Sequence, residues 1–245
     1  MFYEWKVTID SRDVDGSGFC KASALLGHLQ EAATQASIHG GFSREATLEA
    51  YGGFWMLTRV RYRLERPLIW SEELTIRTWH RGGRGASLYR DYDIFVGDQR
   101  VGECVSQWVL ASLADRRLIR LSTVSHLEGT DGGELCKTET LRKLRMPETM
   151  EQAARRHMNY SDTDINGHVN NTRYADFACD VIGSRGPEKG EYVAEMQIDY
   201  QAECRPGEEM TLLRGQEGEV LFVQGMDDEG KSRFEASMIL DKVLP

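Results

Sequence analysis

The sequence lacks the features that mark membrane-spanning and nucleic-acid-binding proteins. No apolar run approaches the ~18 residues that a spanning helix needs, and the longest candidate, at 53–57, has only the length of a strand. The net charge of −9 over 245 residues argues against nucleic acid as a main partner. We therefore expect neither a membrane nor a nucleic-acid partner.

Cysteine is sparse as well. The five cysteines are odd in number and widely spaced, and none forms a C-x-x-C pair. This spacing argues against a disulfide framework or a Cys-rich zinc site, and it favours a reducing cytoplasm. The N-terminus lacks a basic stretch followed by a long apolar run, so we expect no signal peptide.

The sequence does contain short motifs that occur twice, in the same order. Residues 13–18 read D-V-D-G-S-G and residues 162–167 read D-T-D-I-N-G, and each precedes a helical pattern. Farther along, 62–67 is echoed by 200–206, and both lead into acidic-then-apolar strands. Because the features come in the same order, they predict an internal repeat.

Each repeat is expected to contain one helix followed by several strands. Apolar spacing predicts helices over 25–36 and 174–182, with Gly40-Gly41 ending the first. The predicted strands are 54–65, 73–80, 86–96 and 101–113, then 191–203, 208–216, 219–226 and 231–240. Since one helix cannot cover both faces of so many strands, we predict an α+β fold in which an antiparallel sheet curls around its helix, twice. The expected division is 1–128, a linker at 129–149, and 150–245.

The densest polar cluster lies at 162–171, and two of its possible interpretations involve no catalysis. D-x-D-x-N-G matches the start of an EF-hand calcium loop, but position 12 is Arg173 where a bidentate Glu belongs. Alternatively the cluster is a structural turn, with Asn170 or Asn171 capping the helix that follows.

The third interpretation is a catalytic turn. Asp164, Asn166 and His168 alternate, so in an extended segment their side chains share one side, where they could polarise a carbonyl and orient a water. The first-half copy has Ser17 and Phe19 in place of Asn166 and His168. Loss of the amide and imidazole from one copy indicates that only the second does chemistry.

These residues resemble a known family. Asp164-x-Asn166-x-His168-x-Asn170-Asn171, with Glu203-Cys204 some 35 residues later, is similar to the acyl-acyl-carrier-protein (acyl-ACP) thioesterases of plants and bacteria. The first half agrees, through Trp55-x-Leu57-x-Arg59, Trp70 before 72–79, Arg90-Asp91-Tyr92 and Trp108-Val109-Leu110.

The resemblance implies a tandem (double) hot-dog fold and hydrolysis of the thioester that joins a fatty acyl chain to acyl carrier protein. It also implies a catalytic set of Asp164, Asn166, His168 and Glu203. We expect no cofactor and no metal. Because the chain begins almost at its first strand, we expect no transit peptide and a bacterial cytoplasm.

The residues leave the nucleophile open. Glu203, with His168, could activate a water, Cys204 could attack with His168 and Asn166 as partners, or the carboxylate could attack directly. Neighbouring strand residues point to opposite faces, and Cys204 shares parity with apolar residues. This pattern favours Glu203 as the base. Asn166 and His168 would donate to the thioester oxygen or the water, and Asp164 would fix the turn or the imidazole tautomer.

Substrate contacts are predicted from residue type. The candidates for binding the acyl chain and its handle are Leu25, Leu29, Phe54, Trp55, Met56, Asn170 and Asn171. Acyl carrier protein is acidic, so an acidic enzyme must present local positive charge to it. The candidate clusters are Arg142-Lys143-x-Arg145, Arg155-Arg156 and Arg116-Arg117-x-x-Arg120.

Two other functions stay open: an acyl-coenzyme A thioesterase of the same fold, and a non-catalytic acyl-binding module. The complete Asp164, Asn166, His168 and Glu203 set argues against the second. A chain with two repeats could act as a monomer where single units must pair, and a homodimer is also compatible with it.

Overall fold

Antiparallel strands and three helices make up most of the computed structural model, which describes residues 2–124, 127, 130–137, 141–182, 188 and 190–243. By packing, the chain divides into two units that are not contiguous in sequence. Unit 1 comprises Met1–Ile9, Gly27–Tyr62 and Ser71–Leu141, and unit 2 comprises Asp10–Leu26, Arg63–Trp70 and Arg142–Pro245. The predicted boundary at 128 and 129 lies outside the described residues.

Unit 1 is built on a sheet in the order β1-β3-β4-β5-β2, with β6 paired to β5. Its strands are β1 (Tyr3–Thr8), β2 (Gly53–Leu64), β3 (Glu73–Arg84), β4 (Ser87–Val96), β5 (Gln99–Ser112) and β6 (Leu118–Ile119). The pairs β1/β3, β3/β4, β4/β5 and β5/β6 are antiparallel. Alternating apolar residues of β3 and β4, such as Leu74, Ile76 and Ile94, are completely buried.

Two helices lie in the first half of the chain. Helix α1 (Ala22–His39) buries the predicted apolar stripe of Leu25, Leu29, Ala32 and Ala33, and ends where Gly41 takes a φ of +82°. Helix α2 (Arg44–Tyr51) was not predicted, because eight residues give too short a periodic pattern. Its ends carry local signals, a Ser43 side chain that accepts from the N–H of Ala46 and a left-handed Gly52.

Unit 2 contains a sheet in the order β8-β11-β10-β9-β7, antiparallel throughout. Its strands are β7 (Glu151–His157), β8 (Glu191–Tyr200), β9 (Glu209–Glu217), β10 (Val220–Met226) and β11 (Ser232–Lys242). Helix α3 (Arg173–Val181) is half as long as α1 and buries Tyr174, Phe177 and Val181.

The paired strands β8 and β11 of unit 2 are buried on both faces. One face is apolar and carries Ile198 and Ala236. The other carries three buried polar side chains, Gln197, Asp199 and Glu235. Such groups are buried only where hydrogen bonds satisfy them, and here they hold other segments of the chain in place.

None of the described helices combines the length and the hydropathy needed to cross a bilayer.

Candidate active site

The polar segment 162–171 contains a tight turn, so Asp164, Asn166 and His168 do not alternate along an extended segment. The Asp164 N–H donates to the His168 carbonyl at 3.1 Å, and the Gly167 N–H donates to the Asp164 carbonyl at 3.0 Å. The Asp164 side chain accepts the Asn166 N–H at 2.8 Å. Gly167 supplies the positive φ of +77° that the turn requires. Asp164 is therefore the residue that shapes the turn.

A second aspartate fixes the turn to its surroundings. The buried Asp162 carboxylate accepts the Asn159 N–H at 2.9 Å and a guanidinium N–H of Arg156 at 3.1 Å. The Asp162 carbonyl accepts the Asn170 N–H at 2.8 Å, so both ends of the turn are tied together. The Arg156 guanidinium also stacks over the Phe177 ring at 4.0 Å, which links the turn to α3.

The turn meets the segment that follows β8. Strand β8 ends at Tyr200. The prediction that the strand continues through residues 201–203 is therefore wrong. The Val169 N–H donates to the Cys204 carbonyl at 2.8 Å, which joins the two segments through the main chain. As a result His168 Nε2 lies 3.6 Å from Glu203 Oε1, with 23% and 29% of the two side chains exposed. A partly open imidazole–carboxylate pair of this kind can hold and deprotonate a water.

The three asparagines of the turn are used differently. Asn166 donates its N–H to Asp164, and the residue is exposed next to Ile165, which is 89% exposed. Asn170 forms a turn just before helix α3, because its side-chain oxygen accepts the Thr172 N–H at 2.9 Å. The capping position of the helix is Thr172, so the predicted cap at Asn170 or Asn171 is wrong. The Asn171 carbonyl accepts the Tyr200 hydroxyl at 3.1 Å. Of these three asparagines, Asn166 is therefore the one whose residue is exposed to solvent, two positions before His168.

Cys204 is buried, and burial raises the pKa of its thiol above the ordinary value. The protonated thiol is a poor nucleophile. The difference in exposure between Cys204 and Glu203 does not come from strand alternation, because β8 ends at Tyr200, before both residues. The difference comes from local packing, which leaves Glu203 partly exposed and Cys204 covered.

The first-half turn repeats these hydrogen bonds one for one. The Asp15 N–H donates to Phe19, the Gly18 N–H to Asp15, the Ser17 N–H to the Asp15 side chain, and the Lys21 N–H to the Asp13 carbonyl. The Cys20 N–H donates to the Leu68 carbonyl at 2.7 Å, as Val169 does to Cys204. This match places Phe19 where the second turn has His168, and Pro67 where it has Glu203.

The apolar candidates differ in burial. Leu25 and Leu29 are buried, whereas Phe54, Trp55 and Met56 are half-buried. Trp55 packs against the unit 1 core cluster of Leu88, Leu110, Leu121, Val124 and Leu127. The Arg116 guanidinium lies over the Phe54 ring at 5.0 Å. These contacts give Trp55 and Phe54 packing partners within the unit.

One residue that supports the site was missed by the sequence reasoning. Arg233 donates to the Glu203 carbonyl at 2.8 Å. It lies 30 residues beyond Glu203 in a strand, and nothing in its sequence context distinguishes it from a solvated arginine.

Comparison with known proteins matches almost the whole chain to two family models. Residues 1–124 match the acyl-ACP thioesterase N-terminal domain, and residues 146–237 match the C-terminal domain. A dodecanoyl-[acyl-carrier-protein] hydrolase of Cinnamomum camphora is 23% identical over 74% of this chain and 50% of its own length. The oleoyl-acyl carrier protein thioesterase 1 of Arabidopsis thaliana is 22% identical over 98% of this chain and 71% of its own. Overall, the chain spans about half the length of the first curated relatives it matches.

Solved structures share the fold. An acyl-ACP thioesterase from Bacteroides thetaiotaomicron superposes with a TM-score of 0.81 at 21% identity, covering 98% of both chains. The 12:0-ACP thioesterase from Umbellularia californica superposes with a TM-score of 0.79 at 19% identity, covering 99% of this chain and 98% of its own. The predicted α+β tandem hot-dog architecture is thereby confirmed.

Proposed function

The chain belongs to the acyl-ACP thioesterase family, and on that premise we propose that it hydrolyses fatty acyl-ACP to free fatty acid and holo-ACP. The observation that carries the proposal is the imidazole–carboxylate pair of His168 and Glu203, 3.6 Å apart and partly open to solvent. Their main-chain segments are tied together by the bond between Val169 and Cys204.

In the proposed reaction a water bound between Glu203 and His168 attacks the thioester carbonyl carbon. Its proton passes to the Glu203–His168 pair, and the carbonyl oxygen becomes an oxyanion that Asn166 and His168 stabilise by hydrogen bonds. The oxyanion then collapses, the carbon–sulfur bond breaks, and the proton is returned to the thiolate. The products are a carboxylic acid and a thiol. Asp164 contributes by holding the turn that presents Asn166 and His168.

A direct assay tests this function. Purified protein incubated with a panel of acyl-ACP substrates should release free fatty acid, detected by mass spectrometry. His168→Ala and Glu203→Ala should each lower kcat by about a hundredfold or more, the loss typical when one such group is removed, while the melting temperature stays near that of the parent. Hydrolysis of acyl-coenzyme A alone would instead support the alternative thioesterase, and binding of acyl chains without turnover would support the acyl-binding module.

We further propose that the carrier protein docks on the segment Arg142–Arg145. Arg142, Lys143 and Arg145 are exposed and line, with Leu144, a surface hollow of about 630 Å³. The main chain is firmly held beneath them, because Gln197 donates to the Arg142 carbonyl at 2.8 Å and the Leu144 N–H donates to Asp199 at 3.0 Å.

The other basic clusters are less suited to an acidic partner, because Arg155, Arg156 and Arg117 each lie closer to a carboxylate than the 3.8 Å that separates Lys143 from Glu235. Arg155 lies 2.8 Å from Asp228, Arg156 lies 3.1 Å from Asp162, and Arg117 lies 3.4 Å from Asp115. The Arg142–Arg145 segment also lies near the proposed site. Lys143 is 3.8 Å from Glu235, which accepts from Gln201 at 3.2 Å, two residues before Glu203.

Charge reversal tests the docking surface. The pair Arg142→Glu and Arg145→Glu should raise KM for acyl-ACP about tenfold, a loss of about 1.4 kcal/mol in binding. Turnover of an acyl-N-acetylcysteamine, which has no carrier protein, should be unchanged. The matched control is Arg117→Glu with Arg120→Glu, which introduces the same charge change elsewhere. Equal effects of both pairs would contradict the assignment.

The five free cysteines fit a reducing compartment, and we propose the cytoplasm as the site of action.

A further inference from the structure

The segment that carries Glu203 is irregular backbone. It begins after β8 ends at Tyr200 and stops where β9 begins at Glu209. No strand ladder runs along it, so the direction of the Glu203 side chain depends on individual hydrogen bonds to its main chain. One of these is the bond from Val169 to the Cys204 carbonyl. At the far end of the segment, Gly207 and Glu208 exchange main-chain bonds with Met158. The residues up to Glu203 are held by a single arginine.

Arg233, on β11, holds this segment through both its main chain and its side chain. Its carbonyl oxygen accepts the N–H groups of Gln201 and Ala202 at 2.9 and 3.2 Å. Its guanidinium Nη1 donates to the carbonyl oxygen of Glu203 at 2.8 Å. Three successive residues up to and including Glu203 are thereby fixed to one position of β11.

The guanidinium is itself held in place by acidic groups. Its Nε lies 3.0 Å from Asp227 Oδ2, and its Nη2 lies 3.9 Å from Glu208 Oε2. The Asp227 carboxylate accepts the N–H groups of Glu229 and Lys231 at 2.9 and 2.8 Å, so the β10–β11 hairpin turn fixes it. Because these contacts already order the guanidinium, it gives up little conformational freedom to hold Glu203.

We infer that Arg233 is a positioning residue for Glu203. The β10–β11 hairpin turn contributes by holding Asp227, which in turn orients the Arg233 guanidinium. The inference rests on the proposed function. A bond to the Glu203 carbonyl fixes the rotation of the 203–204 peptide and hence the direction in which the carboxylate leaves the main chain. Displacement of a catalytic group by about 1 Å can cost about a hundredfold in rate.

The first test removes the donors and keeps the aliphatic stem. Arg233→Met should lower kcat for acyl-ACP about ten- to a hundredfold, with KM within about twofold of the parent. Arg233→Lys, which retains a cationic donor, should recover part of the loss. The matched control is Arg214→Met, since Arg214 also pairs with a carboxylate, Glu151, and donates to a carbonyl, that of Val181. It should leave kcat unchanged, and a loss equal to that of Arg233→Met would overturn the inference.

A double-mutant cycle separates positioning from general destabilisation. In a Glu203→Gln background, where the carboxylate is already gone, Arg233→Met should cause no further fall in the residual rate. Should Arg233→Met fail to fold, Asp227→Asn serves in its place, with an expected loss of a few-fold that again disappears in the Glu203→Gln background. Additive losses would overturn the inference. An inactive parent would refute the proposed function, whereas an active parent with an unaffected Arg233→Met would refute only the role of Arg233.

Discussion

At the scale of single residues, Glu203 and Cys204 show how neighbours in sequence acquire opposite chemistry. Glu203 is partly exposed beside His168, whereas Cys204 is covered and burial raises the pKa of its thiol. We expect Cys204→Ala to keep kcat within about twofold and to lower stability by about 1 kcal/mol, as for a small core truncation. Steady-state kinetics and urea unfolding measure the two effects. A hundredfold fall in kcat with intact folding would restore the thiol as nucleophile.

His80 illustrates a titratable residue whose role is structural. Burial, reinforced by Arg90, lowers the pKa of its imidazole from 6.5 to about 4. The hydrogen bonds agree with a neutral ring, because Nδ1 accepts the Gly82 N–H at 3.1 Å and Nε2 lies 2.9 Å from the Thr130 hydroxyl. The unfolded chain therefore binds a proton at a higher pH than the folded chain does.

The sign of the pH effect follows from that difference. Stability linked to His80 is fully present above pH 6.5 and is lost as the pH falls toward 4, by on the order of 3 kcal/mol in total. We expect urea unfolding midpoints of the parent to fall across this window. In His80→Gln, which does not titrate, the fall should be smaller. An identical pH dependence in both proteins would exclude His80 as its source.

At the scale of elements, buried carboxylates on strands hold connecting segments. In unit 1 the Asp91 side chain, 0% exposed, accepts the Lys137 N–H at 3.0 Å and pairs with Arg81 at 2.8 Å. In unit 2 the buried Asp199 accepts the Leu144 N–H at 3.0 Å. Each unit thus uses an aspartate on a strand to secure a stretch of chain that has no strand partner of its own.

Neutralising Asp91 should be costly for stability. Asp91→Asn leaves the nearly buried Arg81 without its counter-charge, and breaking such a pair costs about 3–5 kcal/mol. The matched control is Asp93→Asn on the same strand, whose carboxylate is 23% exposed where it meets Lys137. Partly exposed pairs contribute less, about 1 kcal/mol or below. Urea unfolding should separate the two variants, and equal losses would contradict the role assigned to Asp91.

Elements with strong periodicity were predicted well from sequence, and elements defined by local contacts were not. The apolar stripe of α1 and the runs rich in Val, Ile, Leu, Tyr and Trp at β3 and β4 predicted the correct elements, because long apolar patterns indicate burial directly. The end of β8 was placed too late, because the hydrogen bonds that replace the ladder at 201–203 come from Arg233, far along the chain. Arg233 could not be predicted as a supporting residue for the same reason, since its contact with Glu203 is a tertiary contact that sequence spacing does not indicate.

At the scale of the whole molecule, the two Asp-rich turns share one backbone design and differ in the side chains that they carry. The two Asp-rich turns share their hydrogen bonds down to the link with a distant segment, Cys20 to Leu68 in one and Val169 to Cys204 in the other. The amide, imidazole and carboxylate that could act on a thioester, those of Asn166, His168 and Glu203, belong to the second turn and its linked segment only. In the first half the turn makes structural contacts, such as that of the Ser17 hydroxyl, which accepts the Gly190 N–H at 3.2 Å.

This divergence predicts that an imidazole alone cannot recreate a site in the first half. Phe19→His puts a histidine at the position equivalent to His168, but Pro67 occupies the position equivalent to Glu203 and has no carboxylate. In a His168→Ala background we therefore expect Phe19→His to leave acyl-ACP hydrolysis at the level of His168→Ala alone, measured as fatty acid released. Phe19 also stacks edge-on against Tyr192 at 6.3 Å, so the substitution should lower stability modestly. Recovery of turnover in this variant would show that the imidazole needs no carboxylate partner. That result would contradict the water mechanism assigned to Glu203.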